Sequence, residues 1–296
     1  MLHKNSGKVY TTPFLSWQDS LPPLLDRIDL VGNIPHNRPI LIKPNLVENL
    51  QPPITTPVAL VAALVDYLQE RTTNTIIIGE GSGALNYDTW YPFEQLGYTR
   101  LAKEKGIELI DLNEEPCVLR KLAHCRRWPE LFLPEIGYNC FLLSVPVLKV
   151  HTLAGVTLTM KNMMGLVPPA HYRQGNSWKK SAFHTNIQTA IADLNRYRTP
   201  DFTILDATIG MAEAHLWGRT CDPPVNILAA GYDPVAMDSY GAGLVGIDWQ
   251  AIGHIANVHK ELGLAEPLAE IPVGSPTQPP MLLQNKKAGS KKTRPG

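Results

Sequence analysis

The regular alternation of short β-rich apolar runs with segments of helical periodicity constrains the fold more than any other feature of this sequence. The runs with the length and composition of buried strands are residues 39–42, 75–78, 107–110, 141–145, 202–205 and 225–229. The segments that read as helices are residues 56–70, 93–105, 181–196, 236–244 and 251–262. We therefore predict an α/β fold with a doubly wound, mostly parallel sheet and helices on both faces.

Two of these predicted helices carry recognisable end signals. Thr56 can cap the first helix, and Pro57 suits its first position because proline lacks the N–H that this position leaves unpaired. Gly106 follows the second helix, where a glycine readily adopts the left-handed conformation that ends a helix.

The chain of 296 residues is long enough for one large α/β domain or two smaller ones. We predict a single domain over residues 1–271. From residue 272 onward the composition shifts to proline, glutamine, glycine and lysine, which cannot bury enough apolar surface to offset the entropy lost on ordering. We therefore expect residues 272–296 to form a disordered tail.

The charge pattern argues against two classes of partner. The 27 basic and 27 acidic side chains balance, and no basic stripe interleaved with aromatic residues is present, so nucleic acid is not an expected partner. The sequence also lacks an apolar segment of the secretory or membrane-spanning type. We expect a cytoplasmic protein that does not bind a membrane, and a homo-oligomer remains an open alternative to a monomer.

Polar side chains follow five of the six predicted strands. In chain order they are Lys43 and Asn45, then Glu80 and Ser82, then Lys149 and His151, then Asp206, and finally Asp233. Ligands of open α/β sheets bind beyond the carboxyl ends of the parallel strands, so these residues are expected to converge on one rim. Asp233 has a structural alternative, because an aspartate before Pro234 is also the pattern of a helix cap.

The segment 140–169 carries the strongest chemical signal. Lys149, His151, Lys161 and Asn162 stand in apolar sequence. Lysine is almost never fully buried without a partner, so these residues indicate a pocket that holds an anion or moves protons. If residues 157–165 are helical, Lys161 lies one turn from Thr157 and points back toward the pocket. His184 is either a further site residue or an ordinary residue of the next helix.

These motifs resemble the family called domain of unknown function 362. The matching residues are Lys43 to Asn45, the GEGS turn at 79–82, the lysine–histidine pattern from Pro146 to Gly165, His184, Asp206 and the DPVAMD segment at 233–238. The resemblance covers roughly residues 39–263 and implies no established activity. Many relatives carry a ferredoxin-like module with clustered cysteines, which implies iron–sulfur clusters in those proteins.

The four cysteines of this chain do not follow that pattern. Cys117, Cys125, Cys140 and Cys221 lie far apart, and none of them shows the two-residue spacing that presents two thiolates to one metal centre. The sequence therefore argues against an iron–sulfur cluster in this chain. No nucleotide, flavin or pyridoxal site is recognisable either.

Three functional hypotheses follow. The first is an enzyme that binds a small carboxylate or phosphate through Lys43, Asn45, Glu80, Ser82, Lys161 and Asn162. His151, His184 and Lys149 would then catalyse proton transfer, as in an isomerase, racemase or lyase. The second adds a divalent metal held by Glu80, His151, Asp206 and Asp233. The third is a noncatalytic ligand-binding protein or a redox accessory of separate iron–sulfur proteins.

Overall fold

The computed structural model describes residues 4–175 and 178–274. The strands are β1 (Lys8–Pro13), β2 (Ile40–Pro44), β3 (Ile76–Glu80), β4 (Glu108–Asp111), β5 (Cys117–Lys121), β6 (Glu130–Pro134), β7 (Phe141–Val145), β8 (Val147–His151), β9 (Gly155–Thr157), β10 (Phe202–Met211), β11 (Ile227–Gly231) and β12 (Ala269–Pro272). The helices are α1 (Trp17–Ile28), α2 (Val58–Gln69), α3 (Trp90–Gln95), α4 (Tyr98–Lys105), α5 (Ile136–Asn139), α6 (Thr159–Asn162), α7 (Pro169–Tyr172), α8 (Ile187–Tyr197), α9 (Pro234–Leu244) and α10 (Gly253–Ala256).

The central sheet has the strand order β12-β1-β11-β10-β7-β2-β3-β4. Strands β10, β7, β2, β3 and β4 run parallel, whereas β11 runs antiparallel to both β10 and β1. Strand β8 continues from β7, pairs in parallel with the later part of β10, and forms a hairpin with β9. This mixed, mostly parallel sheet confirms the predicted α/β class.

The apolar strands bury both of their faces. In β2, Ile40 and Ile42 pack into one hydrophobic cluster while Leu41 packs into the other. Helices α1, α2 and α4 contribute to the first cluster, and helices α8 and α9 contribute to the second. Strands covered by helices on both sides read as continuous apolar runs, and for this reason the sequence pattern identified them. The predicted helical layers on both faces are confirmed.

Tertiary contacts change several predicted helix ends. Helix α2 begins after Pro57, but Thr56 does not cap it, because the Thr56 hydroxyl accepts the Asn45 backbone N–H and donates to the Val145 carbonyl. The predicted helix 93–105 is divided into α3 and α4 at Gly97, whose φ is 86°. Gly106 ends α4 in the left-handed conformation, as predicted.

Two further helical segments are shorter than predicted. Residues 181–196 form a 3₁₀ turn at Ser181–His184 and then α8, with Asn186 at φ 51° between them. The predicted helix 251–262 contains only α10, preceded by a 3₁₀ turn at Trp249–Ala251. The helical periodicity was correct locally, but it extended across residues that adopt turns.

The two ends of the described chain meet at one edge of the sheet. Strand β12 pairs in parallel with β1, and the Val273 N–H donates to the Thr11 carbonyl at 2.7 Å. Pro272 and Val273, which were assigned to the expected tail, are therefore paired, and residues 275–296 of that tail lie outside the described residues. No helix within residues 4–175 and 178–274 has the length and hydropathy needed to cross a membrane.

Strand β7 lies between β2 and β10 in the centre of the sheet. Truncating a buried side chain of β7 should therefore leave a cavity and lower the free energy of unfolding. Leu142 is fully buried in β7, and we expect Leu142→Ala to lower the free energy of unfolding by about 2–5 kcal/mol. Leu119, on strand β5 and 39% exposed, provides the matched control, and Leu119→Ala should cost about 1 kcal/mol or less. Urea unfolding of both variants measures the difference, and equal losses would contradict the core position of β7.

Candidate functional site

A cleft opens at the carboxyl edge of the parallel strands, where β2, β3 and β8 end. It holds about 600 Å³ of empty space, its open mouth included. Its polar and aromatic lining residues are Asn45, Glu80, His151, Lys161, Asn162, Trp178, Lys180, His184 and His215. The structure thus brings six of the predicted site residues to one cleft: Asn45, Glu80, His151, Lys161, Asn162 and His184.

An ion pair lies directly beneath this cleft. The Lys43 ammonium is 2.5 Å from the Glu80 carboxylate, and the two side chains are 0% and 4% exposed. Lys43 also donates to the Pro44 carbonyl and to the Asn162 side-chain oxygen, each at 3.2 Å. Burial lowers the pKa of Lys43, and the charge of Glu80 opposes that shift. With three acceptors around its ammonium, Lys43 has no donor left for a substrate.

Two glycines of the sequence motifs allow the backbone to approach this ion pair. A Cβ atom at Gly165 would lie 2.3 Å from both the Lys43 Nζ and a Glu80 oxygen. A Cβ atom at Gly81 would lie 2.4 Å from the Gly165 carbonyl oxygen. These distances are too short for any side chain, so the glycines are required by close packing and not by unusual backbone angles.

A network of amides connects the ion pair to a second buried lysine. Asn162 accepts from the Asn45 amide at 3.1 Å and donates to the Ser144 hydroxyl at 3.0 Å. Asn45 in turn accepts from the Lys149 ammonium at 2.8 Å, and Lys149 also donates to the Ile54 carbonyl at 2.7 Å. Burial lowers the pKa of Lys149 well below its usual value, and the nearby charge of Lys161 lowers it further. Lys149 therefore supports the floor of the cleft and does not line it.

Lys161 differs from these lysines because its ammonium has no partner. It lies on the short helix α6, lines the cleft, and forms no hydrogen bond or ion pair with any residue that the structure describes. Burial and the charge of Lys43 lower the pKa of Lys161 to about 8. The sequence expectation of a longer helix reaching back to Thr157 is not met, because Thr157 belongs to β9.

Asp238, on helix α9, holds the backbone of the helix that carries Lys161. The Asp238 carboxylate accepts the backbone N–H groups of Thr159 at 2.7 Å and Met160 at 3.1 Å, which open helix α6. A carboxylate at this end of a helix satisfies N–H groups that have no partner within the helix. Burial raises the pKa of Asp238 to about 8, and the two N–H donors oppose the shift. The last aspartate of the DPVAMD motif thus orients Lys161 and Asn162.

Lys180 is a cleft residue that the sequence analysis missed. Its ammonium donates to the backbone carbonyls of Gly81 at 2.7 Å, Met164 at 3.2 Å and Gly165 at 2.8 Å. Burial lowers the pKa of Lys180 to about 7, and Glu80 opposes that change. In the sequence, Lys180 belongs to a polar pair of lysines that resembles a solvated loop. Only the tertiary structure shows that it joins the glycine turn after β3 to the segment after α6.

His151 has a fixed tautomer. Its Nδ1 atom accepts the backbone N–H groups of Leu153 and Ala154, both at 3.1 Å, so the neutral ring carries its proton on Nε2. Burial, followed by the charge of Lys161, lowers the pKa of His151 to about 2. The ring stacks on His215 with a centroid separation of 3.9 Å.

His215 and His184 complete the imidazole lining of the cleft. Burial lowers the pKa of His215 to about 4, with further contributions from the charges of Lys161 and Lys149. His184 ends the 3₁₀ turn Ser181–His184, and burial and then Lys161 lower its pKa. His184 lines the cleft, as expected if it is a site residue. His215 had no sequence signal, since it lies in the loop after β10, far along the chain from His151, on which its ring stacks.

Five predicted site residues do not line the cleft: Lys43 and Lys149 lie beneath it, and the other three are Ser82, Asp206 and Asp233. The Ser82 side chain is buried, where its hydroxyl accepts the Ala84 N–H at 3.3 Å and donates to the Val47 carbonyl at 3.4 Å. Asp206 is buried and accepts both the backbone N–H and the hydroxyl of Thr208, and burial raises its pKa. Ser82 therefore connects the loop after β3 to the segment after β2, and Asp206 holds Thr208 within the irregular part of β10.

Asp233 requires a correction to the convergence argument. Strand β11 runs antiparallel to β10, so its last residue, Gly231, pairs with Thr203 near the start of β10. Asp233 therefore lies near the amino ends of the parallel strands, on the side of the sheet opposite the cleft. The Asp233 carboxylate caps α9 by accepting from Val235 and Ala236, and it also accepts from Gly7 and Leu264. The alternative role of Asp233 as a helix cap is the one observed.

The expected metal set is not assembled. Within residues 4–175 and 178–274, no group of three or more histidine, cysteine, aspartate and glutamate side chains is arranged to hold a metal ion. Glu80 and His151 share the cleft, while Asp206 and Asp233 lie elsewhere for the reasons above. All four cysteines are unpaired thiols, of which Cys125 and Cys140 are buried.

Fold and cleft together define an α/β protein with a lysine–histidine site at the carboxyl edge of its sheet. The family model described as a domain of unknown function, number 362, matches residues 40–243, which is more than half of the chain. The chain therefore belongs to the domain of unknown function 362 family. The matched segment runs from β2 to α9 and includes every polar residue of the cleft named above. No curated protein and no solved structure gives a significant match.

Removing one member of the buried ion pair should leave an uncompensated charge. We expect Lys43→Met to lower the free energy of unfolding by about 3–5 kcal/mol, and Glu80→Gln in the same background to recover part of that loss. The exposed pair Lys121–Glu130 provides the control, where Lys121→Met should cost about 1 kcal/mol or less. Urea unfolding tests this cycle, and additive losses at Lys43 and Glu80 would contradict the pairing.

The histidine pKa values predict how stability changes in acid. His151 and His215 have folded-state pKa values of about 2 and 4 and return to about 6.5 on unfolding. Below pH 6.5 the unfolded chain therefore binds more protons than the folded chain, so the free energy of unfolding should fall as the pH decreases from about 6.5. Below about pH 4, His151 and the buried His254, whose folded-state pKa values are about 2 and 3, should continue to contribute.

A matched pair of variants separates this effect from the titration of carboxylates. His151→Gln should flatten the decline between roughly pH 6.5 and 4, whereas His36→Gln, at an exposed position, should leave it as in the wild type. Thermal unfolding at a series of pH values measures both slopes. Identical slopes for the two variants would show that His151 is not held neutral in the folded state.

Proposed function

We propose that this protein is an enzyme that binds a small anionic metabolite, a carboxylate or a phosphate, in the lysine–histidine cleft. The observation that carries the proposal is the Lys161 ammonium, which lines the cleft without any partner among the described residues. A buried or partly buried cation without a counter-ion is unfavourable, so an anionic ligand in the cleft would supply the missing charge.

The charges around the cleft support an anion over a cation. Glu80 lines the cleft, but its charge is compensated by Lys43 at 2.5 Å. Lys161 has no such compensation, so the cleft carries an excess of positive charge whenever Lys161 is protonated. Because the site is partly withdrawn from water, this charge acts on a ligand more strongly than an exposed lysine would.

The same geometry gives His151 and Lys161 distinct roles. A histidine with a pKa of about 2 does not exchange protons near neutral pH, so His151 would act as a fixed N–H donor to an oxygen that gains negative charge. Lys161, with its pKa of about 8, is the better candidate for proton transfer. Proton transfer at a carbon beside a carbonyl, as in an isomerase, racemase or lyase, needs these two functions.

The alternative is a protein that binds an anion without transforming it. The low pKa values of His151 and His215 favour this alternative in one respect, because neutral imidazoles bind oxygen atoms without any proton transfer. The two functions differ in a measurable way, since only an enzyme exchanges substrate hydrogen with solvent. A small metabolite as the ligand also agrees with the cytoplasmic location expected from the sequence.

Anion binding should depend on Lys161 and on pH. Inorganic phosphate and a panel of small carboxylates should raise the melting temperature of the wild type, because a ligand that binds only the folded state stabilises it. Affinity should decrease as the pH rises through about 8, where Lys161 loses its proton. Lys161→Met should weaken binding by roughly tenfold to a hundredfold, the usual contribution of a charged hydrogen bond.

Lys103→Met, at an exposed position of α4, is the control and should bind as the wild type does. Carboxylates that bind and carry a C–H beside a carbonyl are then incubated in D₂O with each variant and followed by NMR. Deuterium incorporation that requires Lys161 supports an enzyme, and binding without exchange supports the alternative. A wild-type protein that no anion stabilises would overturn the proposal.

A further inference from the structure

The four lysines around the cleft differ in what their ammonium groups contact. They are Lys43, Lys149, Lys161 and Lys180. Lys43 and Lys180 each have three acceptors, and Lys149 has two. Among the residues that the structure describes, Lys161 has none. Nothing on the protein therefore holds the Lys161 nitrogen in its protonated form or blocks its approach to a ligand.

We propose that Lys161 is a nucleophile that forms an imine with the aldehyde or ketone group of an anionic substrate, such as a 2-oxo acid. This inference rests on the proposed function and narrows its substrate class to carbonyl compounds. It assigns to the Lys161 nitrogen a covalent role in addition to its electrostatic one.

The surroundings of Lys161 favour the neutral amine that such a reaction needs. The preceding residue, Met160, and Thr159 are held by Asp238, which fixes the helix that carries Lys161. The next residue, Asn162, accepts from Lys43, so a second cation lies close to Lys161. Burial and this cation lower the pKa of Lys161 to about 8. Desolvation and a neighbouring cation are the two means by which proteins activate lysine amines.

The reaction balances with no further reagent. The lone pair of neutral Lys161 adds to the carbonyl carbon and the C–N bond forms, while the carbonyl electron pair moves to oxygen. The nitrogen then loses a proton and the oxygen gains one, which gives the carbinolamine. Its hydroxyl takes a proton from solvent and leaves as water as the C=N bond forms. The net change is one proton taken up and one water released, and the product is the protonated imine of Lys161.

The other cleft groups suit this sequence. His151 keeps its proton on Nε2 because the backbone N–H groups of Leu153 and Ala154 donate to Nδ1. It can therefore donate a hydrogen bond to the substrate carbonyl oxygen as that oxygen becomes negative. The protonated imine withdraws electrons from the adjacent carbon, which makes the loss of a proton from that carbon easier than in the free carbonyl compound. The imine would therefore supply the activation that the proposed proton transfer requires.

The test uses the full-length protein with glyoxylate, the smallest anionic aldehyde acid, and sodium cyanoborohydride, which reduces an imine to a stable secondary amine. Peptide mass spectrometry then locates the adduct and gives its rate of formation at each lysine. Near neutral pH, Lys161 should react about tenfold or more faster than the exposed Lys103, because burial and the charge of Lys43 lower the pKa of Lys161 to about 8. Inorganic phosphate, which competes for the cleft, should slow the reaction at Lys161 and leave Lys103 unaffected.

Lys161→Arg separates this inference from the proposed function, because arginine retains the positive charge but is not a nucleophile under these conditions. This variant should still be stabilised by phosphate and should lose the fast adduct. Fast labelling at Lys161 in the wild type supports the inference. Labelling of Lys161 no faster than that of Lys103, in a protein that phosphate still stabilises, overturns the inference and leaves anion binding intact. Absence of both the phosphate effect and the fast adduct overturns both proposals.

Discussion

The ion pair between Lys43 and Glu80, almost fully buried under the cleft, is the interaction on which the rest of the site depends. Two charges removed from water are tolerated only when each is paired and hydrogen-bonded. Lys43 meets this requirement through the Pro44 carbonyl and Asn162, and Glu80 accepts the Gly81 N–H at 3.1 Å. Gly165, in the segment after α6, lies against both charged groups, and a side chain there would collide with the Lys43 ammonium and the Glu80 carboxylate.

The same arrangement sets the electrostatics of the cleft. Lys43 and Lys149 lie within the floor, and the Lys180 ammonium is held by three backbone carbonyls, so the unpaired cation that a ligand meets is Lys161. The charge of Lys161 also acts on the neighbouring histidines. Burial is the largest cause of the lowered pKa values of His151, His215 and the buried His254, and the charge of Lys161 is the second. The pKa of His254 is about 3. A cleft lined by one unpaired cation and neutral imidazoles follows from these interactions and underlies both proposals.

The sequence predicted the elements better than their connections. The β7 strand was placed at 141–145 as observed, because a strand buried on both faces is a continuous apolar run. The helix assigned to 93–105 is broken at Gly97, and the one assigned to 181–196 is broken at Asn186, since both residues adopt positive φ values that a periodic pattern does not reveal. Asp233 was misplaced because the antiparallel direction of β11 depends on its pairing with β1 and β10.

The sequence by itself determined the α/β class, most of the buried parallel strands and part of the polar lining of the cleft, because burial periodicity and unusual polar residues are local properties of the chain. Tertiary structure alone decided which of those polar groups have hydrogen-bond or ion-pair partners within the protein. Lys43 contacts Glu80, which is 37 residues away in the sequence, and Asn162, which is 119 residues away. Such pairings depend on how the sheet and α6 pack. The same packing brought His215 and Lys180 to the cleft and left Lys161 without a partner, a distinction among chemically identical lysines that only three-dimensional contacts create.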